Sequence, residues 1–378
     1  MKKTIYKSFI QEFLKIFFLS LFALTLIVWI MQAVNYLDFV SEDGHGFKVY
    51  FTYTILSLPK ILSRLMMFVF FISLFYSLYK MEEKNELIIY WINGIKKISV
   101  KRFIISLSLI FLSFQLLLNI FITPKSQDLA RSYLRDSNID FFPSLIKEKK
   151  FIDIVSNLTI FVENKNEDGS FENIFLKEYN GSSNYQIIFA KYGKIKTDNN
   201  VIALELNNGN IIDRVNDEEK IISFDTTIFN LSKYQTKTIT QQKIQEVNTL
   251  FLLNCLNNIR NNKDIEYLNI YRADHQLKCN NQIIKTYYEE LFKRIVHPFY
   301  IPLLAVIAAL AMLDTKNIYN YSIKRIYLFL IGFAVIVFGE ISVKYTSENL
   351  QSNLNFVLVP IVLFIIINIF FNIKSQKN

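Results

Sequence analysis

Glycine is scarce in this chain: nine residues in 378, and the one G-x-G run is Gly44-His45-Gly46. No G-x-x-x-x-G-K-[ST] stretch occurs, so no Walker or Rossmann loop is present to cradle phosphates. If ATP is used, another chain hydrolyses it. The three histidines (His45, His275, His297) and two cysteines (Cys255, Cys279) are scattered. They form no metal-ligand spacing and no nucleophile motif. No catalytic residue, metal ligand or cofactor of the chain's own is therefore expected. Charge is thin as well: 20% of residues are charged, against roughly 25% in an average soluble domain. What fills the gap is apolar. The chain is 52% apolar with 35 Phe, and its mean hydropathy is +0.24. The apolar residues are gathered into long runs separated by polar stretches, which excludes a single soluble globule and a disordered chain.

Crossing a hydrocarbon core of about 30 Å takes about 20 apolar residues in a helix. Six segments qualify: Ile16–Leu37, the stretch between Lys48 and Lys80, Phe103–Thr123, Ile295–Leu313, Ile326–Val343 and Leu354–Ile373. The second is interrupted only by Pro59, Lys60 and Arg64. The first follows a basic start, yet it outruns the apolar core of a signal peptide and no A-x-A site follows, so it reads as a retained span. With the N-terminus inside, the inner segments hold fourteen Lys and Arg, and the short outer loops hold two, Lys48 and Lys344. That bias places both termini in the cytoplasm and residues 124–294 outside. The net charge of +9 is then a topology signal beside an anionic leaflet, and no nucleic-acid partner is needed.

Three organisational blocks follow: residues 1–123 with spans one to three, 124–294 outside, and 295–378 with spans four to six. Residues 151–235 alternate short apolar runs, such as Leu158–Val162, Tyr185–Ala190, Val201–Leu206 and Lys220–Phe224, with turn residues. The separators are Asp168-Gly169, Asn180-Gly181, Asp198-Asn-Asn200 and Asn208-Gly209. This is the pattern of antiparallel strands joined by hairpins. The sheet either caps the membrane part or offers an edge or an apolar trough to a partner. Residues 240–294 read as helical. Both cysteines fall in this outer segment, where a disulfide is permitted and where burial as a small apolar residue is the alternative.

The inner loop, 81–102, carries an amphipathic helix at about 81–94. Leu87, Tyr90 and Trp91 share one face. Glu82, Glu83 and Glu86 favour the start of the dipole, Gly94 fits the position past the helix end, and Lys96 and Lys97 sit at its negative end. Such a helix either lies on the membrane surface or docks its aromatic face and acids on a cytoplasmic partner.

These residues resemble the permease subunits of the lipopolysaccharide-export ABC transporter, the LptF/LptG family, over nearly the whole chain. The shared elements are Leu58-Pro59, Asn85-Glu86-Leu87 followed by Asn93-Gly94-Ile95, and Thr123-Pro124. Phe189-Ala-Lys-Tyr-Gly193, Leu204-Glu-Leu-Asn-Asn-Gly209, and Lys293-Arg294 with Pro298 complete the set. The short motifs are degenerate; the order of three spans, β-domain and three spans is specific. The stretch Trp29–Asp38 is more similar to LptF than to LptG. Met67 stands where the family often has a second proline, and Asn85 where it usually has Ser or Asp, which bears on helix geometry and not on architecture.

The resemblance implies an α-helical membrane protein with six transmembrane helices and an inserted all-β, jellyroll-like periplasmic domain at about 140–235. It implies a bacterial inner-membrane location and no enzyme activity. The expected partners are a paralogous permease subunit, a cytoplasmic ABC ATPase dimer that binds the ATP, and a periplasmic jellyroll bridge protein. The substrate is lipopolysaccharide. Glu86 then belongs to the ATPase-coupling helix, with Glu82, Glu83, Leu87, Tyr90, Trp91 and Gly94 beside it. Lipid phosphates need cations, and charges inside spans usually face a cavity or a partner. Lys60 and Arg64, at i and i+4 on span two, are candidates, with Lys125, Arg131, Arg135, Lys293, Arg294 and Lys344 near the same level. The alternative is snorkelling to the host lipids. A secondary transporter would want ionisable residues at mid-membrane, whereas spans three, four and six carry no charge. A receptor or scaffold with a periplasmic β sensor would need an inner output domain.

Overall fold

The computed structural model describes residues 2–37, 46–136, 146–155, 158–166, 169–179, 184–198, 201–215, 218–231, 243–260, 284–314, 320–346 and 350–377. The helices are α1 (Lys2–Asn35), α2 (Phe47–Leu56), α3 (Leu58–Glu83), α4 (Glu86–Ile92), α5 (Lys97–Leu117), α6 (Thr123–Asp136), α7 (Thr249–Arg260), α8 (Ile284–Leu291), α9 (Tyr300–Leu310), α10 (Tyr321–Lys344) and α11 (Leu350–Lys377). Six continuous helical stretches are long and apolar enough to cross a membrane: Thr4–Asn35, Phe47–Glu83, Lys97–Leu134, Ile284–Leu310, Tyr321–Lys344 and Asn353–Gln376. The chain is thus a helical membrane protein with a β-domain inserted between its third and fourth spans.

Contacts divide the chain into two units. One comprises Met1–Gln32, Leu56–Leu129 and Gln242–Asn378; the other comprises Ala33–Ile55 and Ala130–Gln241. In the helical unit α9 is the centre. Every residue from Tyr300 to Ala309 is buried, as a helix apolar on all sides must be. The helices α3, α5, α10 and α11 pack around it. On α1, Phe9, Phe13 and Phe17 recur every four residues and turn one buried face inward. Phe13 meets Phe70 and Phe111 edge-on at ring separations of 5.8 and 5.6 Å, the geometry the ring quadrupoles favour. The opposite face of α1, with Phe18, Leu19 and Phe22, is exposed, as expected of a helix that meets lipid.

The second unit holds one six-stranded antiparallel sheet: β1 (Ile152–Val155), β2 (Leu158–Lys165), β3 (Ser170–Tyr179), β4 (Tyr185–Asp198), β5 (Val201–Val215) and β6 (Glu218–Asn230). Its strands pair in sequence order without a crossover. Alternation buries Leu158, Ile160 and Val162 of β2 with Leu204 and Leu206 of β5 in one cluster. The opposite face carries Phe161, Phe175 and Phe189, cross-strand partners in register. Phe151 and Phe161 lie 4.6 Å apart, and Phe175 and Phe189 5.2 Å.

The sequence pattern places a turn at Asn208-Gly209, and the structure corrects it: β5 runs straight through both residues. Asn208 takes the left-handed φ of 54°. A Cβ on Gly209 would lie 2.0 Å from the Phe189 carbonyl oxygen. The dipeptide therefore distorts a continuous strand instead of reversing it. The distortion crosses the sheet at one level. Glu163, Asn173, Lys191, Asn208 and Asp225 are skipped in the pairing while residues on both sides of them pair. Asn173 is also left-handed, at φ 50°.

Candidate functional site

Four of the eight candidate cations line one cavity. Lys60 and Arg64 come from α3, and Lys293 and Arg294 from the turn that follows α8. Its volume is about 30 Å³, and Ser63, Asn119, Thr123, Pro124, Gln127, Gln245 and Glu290 complete the lining. Two local departures from α-helical winding form it. Residues Leu118–Ile122 of the third span and Phe292–Val296 of the fourth are π-helical turns, a feature that recurs at functional sites. They pack against each other. The Asn119 amide donates to the Lys293 carbonyl at 3.5 Å, and the Gln115 amide donates to the Ser63 carbonyl at 2.7 Å.

The sequence reading missed these polar residues, although a signal was present. Gln115, Asn119 and Thr123 recur every four residues through an otherwise apolar run, and Gln127 continues the spacing beyond it, which sets them along one side of the helix. Among the described residues, Thr123 Oγ1 and Gln127 Nε2 are buried without a hydrogen-bond partner. Lys60, Arg64 and Lys293 act on one another through space, with Glu246, Glu290 and Glu340 as carboxylates in range. Glu340 lies 3.3 Å from His297, and Glu290 is paired with Arg294 at 2.9 Å. The cavity is therefore a small polar chamber with cations to spare, one that an anionic oxygen suits.

Arg294 has a different task from the other three. Only 2% of it is exposed. Its Nε donates to Glu290, Nη1 donates to the Val247 carbonyl at 2.7 Å and the Thr249 hydroxyl at 2.9 Å, and Nη2 donates to the Gln245 carbonyl at 3.0 Å. A guanidinium with its donors spent in this way anchors the fourth span to the segment 244–249 and has little left for a ligand. Lys125 and Lys344 are exposed and do not line the cavity. Arg131 is buried and belongs to the second unit. The side chain of Arg135 lies outside the described residues.

The helix expected at about 81–94 is split in the structure: Glu82 and Glu83 sit in the last turn of α3 and not at a helix start, and the inner-loop helix is α4, Glu86–Ile92, whose aromatic face turns inward. Leu87 and Tyr90 are buried in the helical core, and the Tyr90 hydroxyl donates to the Ile5 carbonyl at 3.2 Å. Burial holds the Tyr90 phenol above its usual range, so it stays a donor. Trp91 is half-buried, with Lys97 Nζ 5.9 Å above its ring. The aromatic face thus seats α4 on its own chain, because it is the larger apolar surface and gains more by burial. The face left outside carries Ile88, Ile89 and Ile92, the last 79% exposed. Glu83 is exposed and Glu86 half-exposed, whereas Glu82 is buried. Gly94, at φ 70°, ends the helix. Its N–H meets the Trp91 carbonyl, and the Ile95 N–H meets that of Tyr90, both at 3.0 Å, which is the Schellman closure.

Cys255 is buried in the cluster of α7 and α8 and is disulfide-bonded; the other cysteine, Cys279, lies outside the described residues.

A family profile described as lipopolysaccharide export system permease LptF/LptG matches residues 7–374. The chain is also 24% identical over 357 residues to an uncharacterized protein of Rickettsia prowazekii, RP871, covering 93% of this chain and 92% of that one.

Proposed function

The chain belongs to the LptF/LptG family of lipopolysaccharide export permeases, and from that premise we propose that it is the membrane subunit of an ABC transporter. It draws lipopolysaccharide from the outer leaflet of the bacterial inner membrane and passes it to a periplasmic jellyroll bridge. ATP is bound and hydrolysed by a separate cytoplasmic ATPase pair, and the second half of the chamber is a paralogous permease. The stretch Trp29–Asp38 supports the LptF role.

The substrate sets the physical demand. Exposing a CH₂ to water costs about 0.8 kcal/mol, so one acyl chain of a dozen carbons costs roughly 10 kcal/mol. A lipid with several chains must be offered apolar surface throughout. The broad exposed faces of α1, α10 and α11 supply it in the membrane part. The trough of about 450 Å³ lined by Phe151, Phe161, Phe175 and Phe189 supplies it on the sheet. The headgroup phosphates need cations, and the observation that carries the reading is the cavity where Lys60, Arg64 and Lys293 converge with Arg294 held aside as an anchor. Orientation is supported twice. Lys and Arg favour the inner loops fourteen to two, and a disulfide at Cys255 suits an oxidising compartment.

On the cytoplasmic side Glu86 and the outward face of Ile88, Ile89 and Ile92 form the docking surface for the ATPase. Purifying the tagged chain from the membrane and identifying its companions by mass spectrometry tests the reading. A soluble ATPase and a paralogous permease are expected in equal measure with the chain and its partner. Recovery of the chain without an ATPase refutes it.

A further inference from the structure

The six long helices do not hold all the exposed apolar surface of the helical unit. Helix α7 is apolar over Thr249–Ile259 but too short to cross a membrane. An apolar helix of that length is either packed in a core or set in a membrane interface. Two faces of α7 divide these roles. Leu252 and Cys255 are buried in one cluster with Tyr287 and Leu291 of α8. The other face carries Leu250, Leu253, Asn254 and Asn257, all exposed, at spacings of three and four. The chemistry of that stripe changes along the helix. Its start presents Leu250, 63% exposed, and Leu253, 44% exposed, and the turns after them present asparagine.

The depth of the apolar end is fixed from two sides. The Thr249 hydroxyl donates to the Ile120 carbonyl at 3.0 Å, and Ile120 lies in the π-helical turn of the third span. At 1.5 Å per residue, Ile120 stands about 27 Å along the span from Arg102 and about 7 Å short of Lys125. Thr249 therefore sits within the length of a hydrocarbon core of about 30 Å, close to its edge. Phe121 and Ile122, beside Ile120, are exposed at 63% and 38%, so the apolar start of α7 continues the apolar surface of the span. From the fourth span, Arg294 holds the same segment through the Val247 and Gln245 carbonyls and the Thr249 hydroxyl. The helix start is also prepared for lipid, where an unpaired backbone donor is costly. The Leu250 N–H donates to Asn248 Oδ1 at 3.3 Å.

We propose that α7 is a membrane-contacting helix additional to the six spans. Leu250 and Leu253 dip into the acyl region of the bilayer at the far end of the third span, the outer leaflet on the orientation given above. Asn254 and Asn257 rise to the headgroups. The occupant of this face is bilayer lipid. Arg294 is then the residue that holds α7 at this depth. Gln245, four residues before Thr249, lines the cation cavity, so bilayer lipid borders that cavity. The placement of α7 does not depend on which lipid is carried.

The test uses the full permease complex in lipid nanodiscs free of lipopolysaccharide. A genetically encoded fluorescent amino acid replaces Leu250, Leu253 or Asn257, one at a time, and phosphatidylcholine brominated on its acyl chains is the quencher. Ile365 of the sixth span, 51% exposed, and Ile221 of β6, 71% exposed, give the lipid and water references. Quenching at positions 250 and 253 reaches at least half of that at 365, and bromine near the headgroup quenches more than bromine near the chain end. Quenching at 257 falls at least threefold below that at 253. Labelling of the unmodified chain with a lipid-soluble photoactivated carbene reagent gives adducts within 249–253, which keeps the test open should a variant fail to assemble. Quenching at 250 and 253 no greater than at 221, with no adduct in 249–253, places this face in water or against a protein partner and overturns the proposal.

Discussion

Replacing Arg294 with Leu separates an anchor from a lipid contact. The substitution removes a charge-assisted bond to Glu290 and leaves the carbonyls of Val247 and Gln245 and the Thr249 hydroxyl without their donor. Glu290 stays behind with a side chain 14% exposed. Breaking a buried pair on one side costs about 3–5 kcal/mol. At 1.36 kcal/mol per factor of ten, the unfolded fraction rises by roughly 10² to 10⁴. Equilibrium unfolding of the purified chain in mixed micelles reads this directly. The partner variant, Glu290→Leu, costs a similar amount. The Arg294→Leu/Glu290→Leu pair costs less than the sum, because no lone charge is left. If Arg294→Leu unfolds within about 0.5 kcal/mol of the unmodified chain while lipid binding is lost, Arg294 is a ligand residue and the assignment fails.

Two glycines are expected to fail for different reasons. A Cβ on Gly332 of α10 would lie 2.0 Å from Phe71 Cζ, and Phe71 is buried. Gly332→Leu should therefore cost about 1–3 kcal/mol or more by overpacking, recovered in part by Phe71→Ala in the same unfolding assay. Gly94 has open space around it but φ 70°. Gly94→Ala should cost about 1–2 kcal/mol of backbone strain, and Phe71→Ala should do nothing for it. Ile92 is 79% exposed, so Ile92→Asp should leave stability unchanged yet weaken ATPase retention by about 2 kcal/mol, roughly 30-fold; Glu86→Arg should weaken it too without separating the permease pair. An Ile92→Asp chain that retains its ATPase at full stoichiometry would remove Ile92 from the docking face.

The apolar runs made the six spans legible, because a helix in lipid must be apolar over its whole crossing. The strands of the insert were legible from alternation and turn residues, with one failure. Asn208-Gly209 has the composition of a hairpin turn, and the same left-handed freedom instead serves a mid-strand distortion. Composition alone does not separate the two, since both need φ > 0. The inner-loop helix was legible as amphipathic, yet periodicity shows that an apolar face exists and not which body covers it. Leu87 and Tyr90 turned inward because their own chain offers the core they fill. The cation cluster was half legible. Lys60 and Arg64 stood out in an apolar run. That Arg294 is saturated depends on the segment 244–249, some 45 residues away in sequence, and no local pattern reports that.

The cavity between the third and fourth spans is the place where the phosphorylated head of the lipid is expected to bind. A photo-crosslinking amino acid placed at Ser63, which lines that cavity with Lys60 and Arg64, measures this in intact membranes. An adduct with lipopolysaccharide is expected, reduced at least tenfold when Lys60 and Arg64 are both changed to Gln. No adduct at Ser63, or one of undiminished yield in the Lys60→Gln/Arg64→Gln chain, would contradict the account.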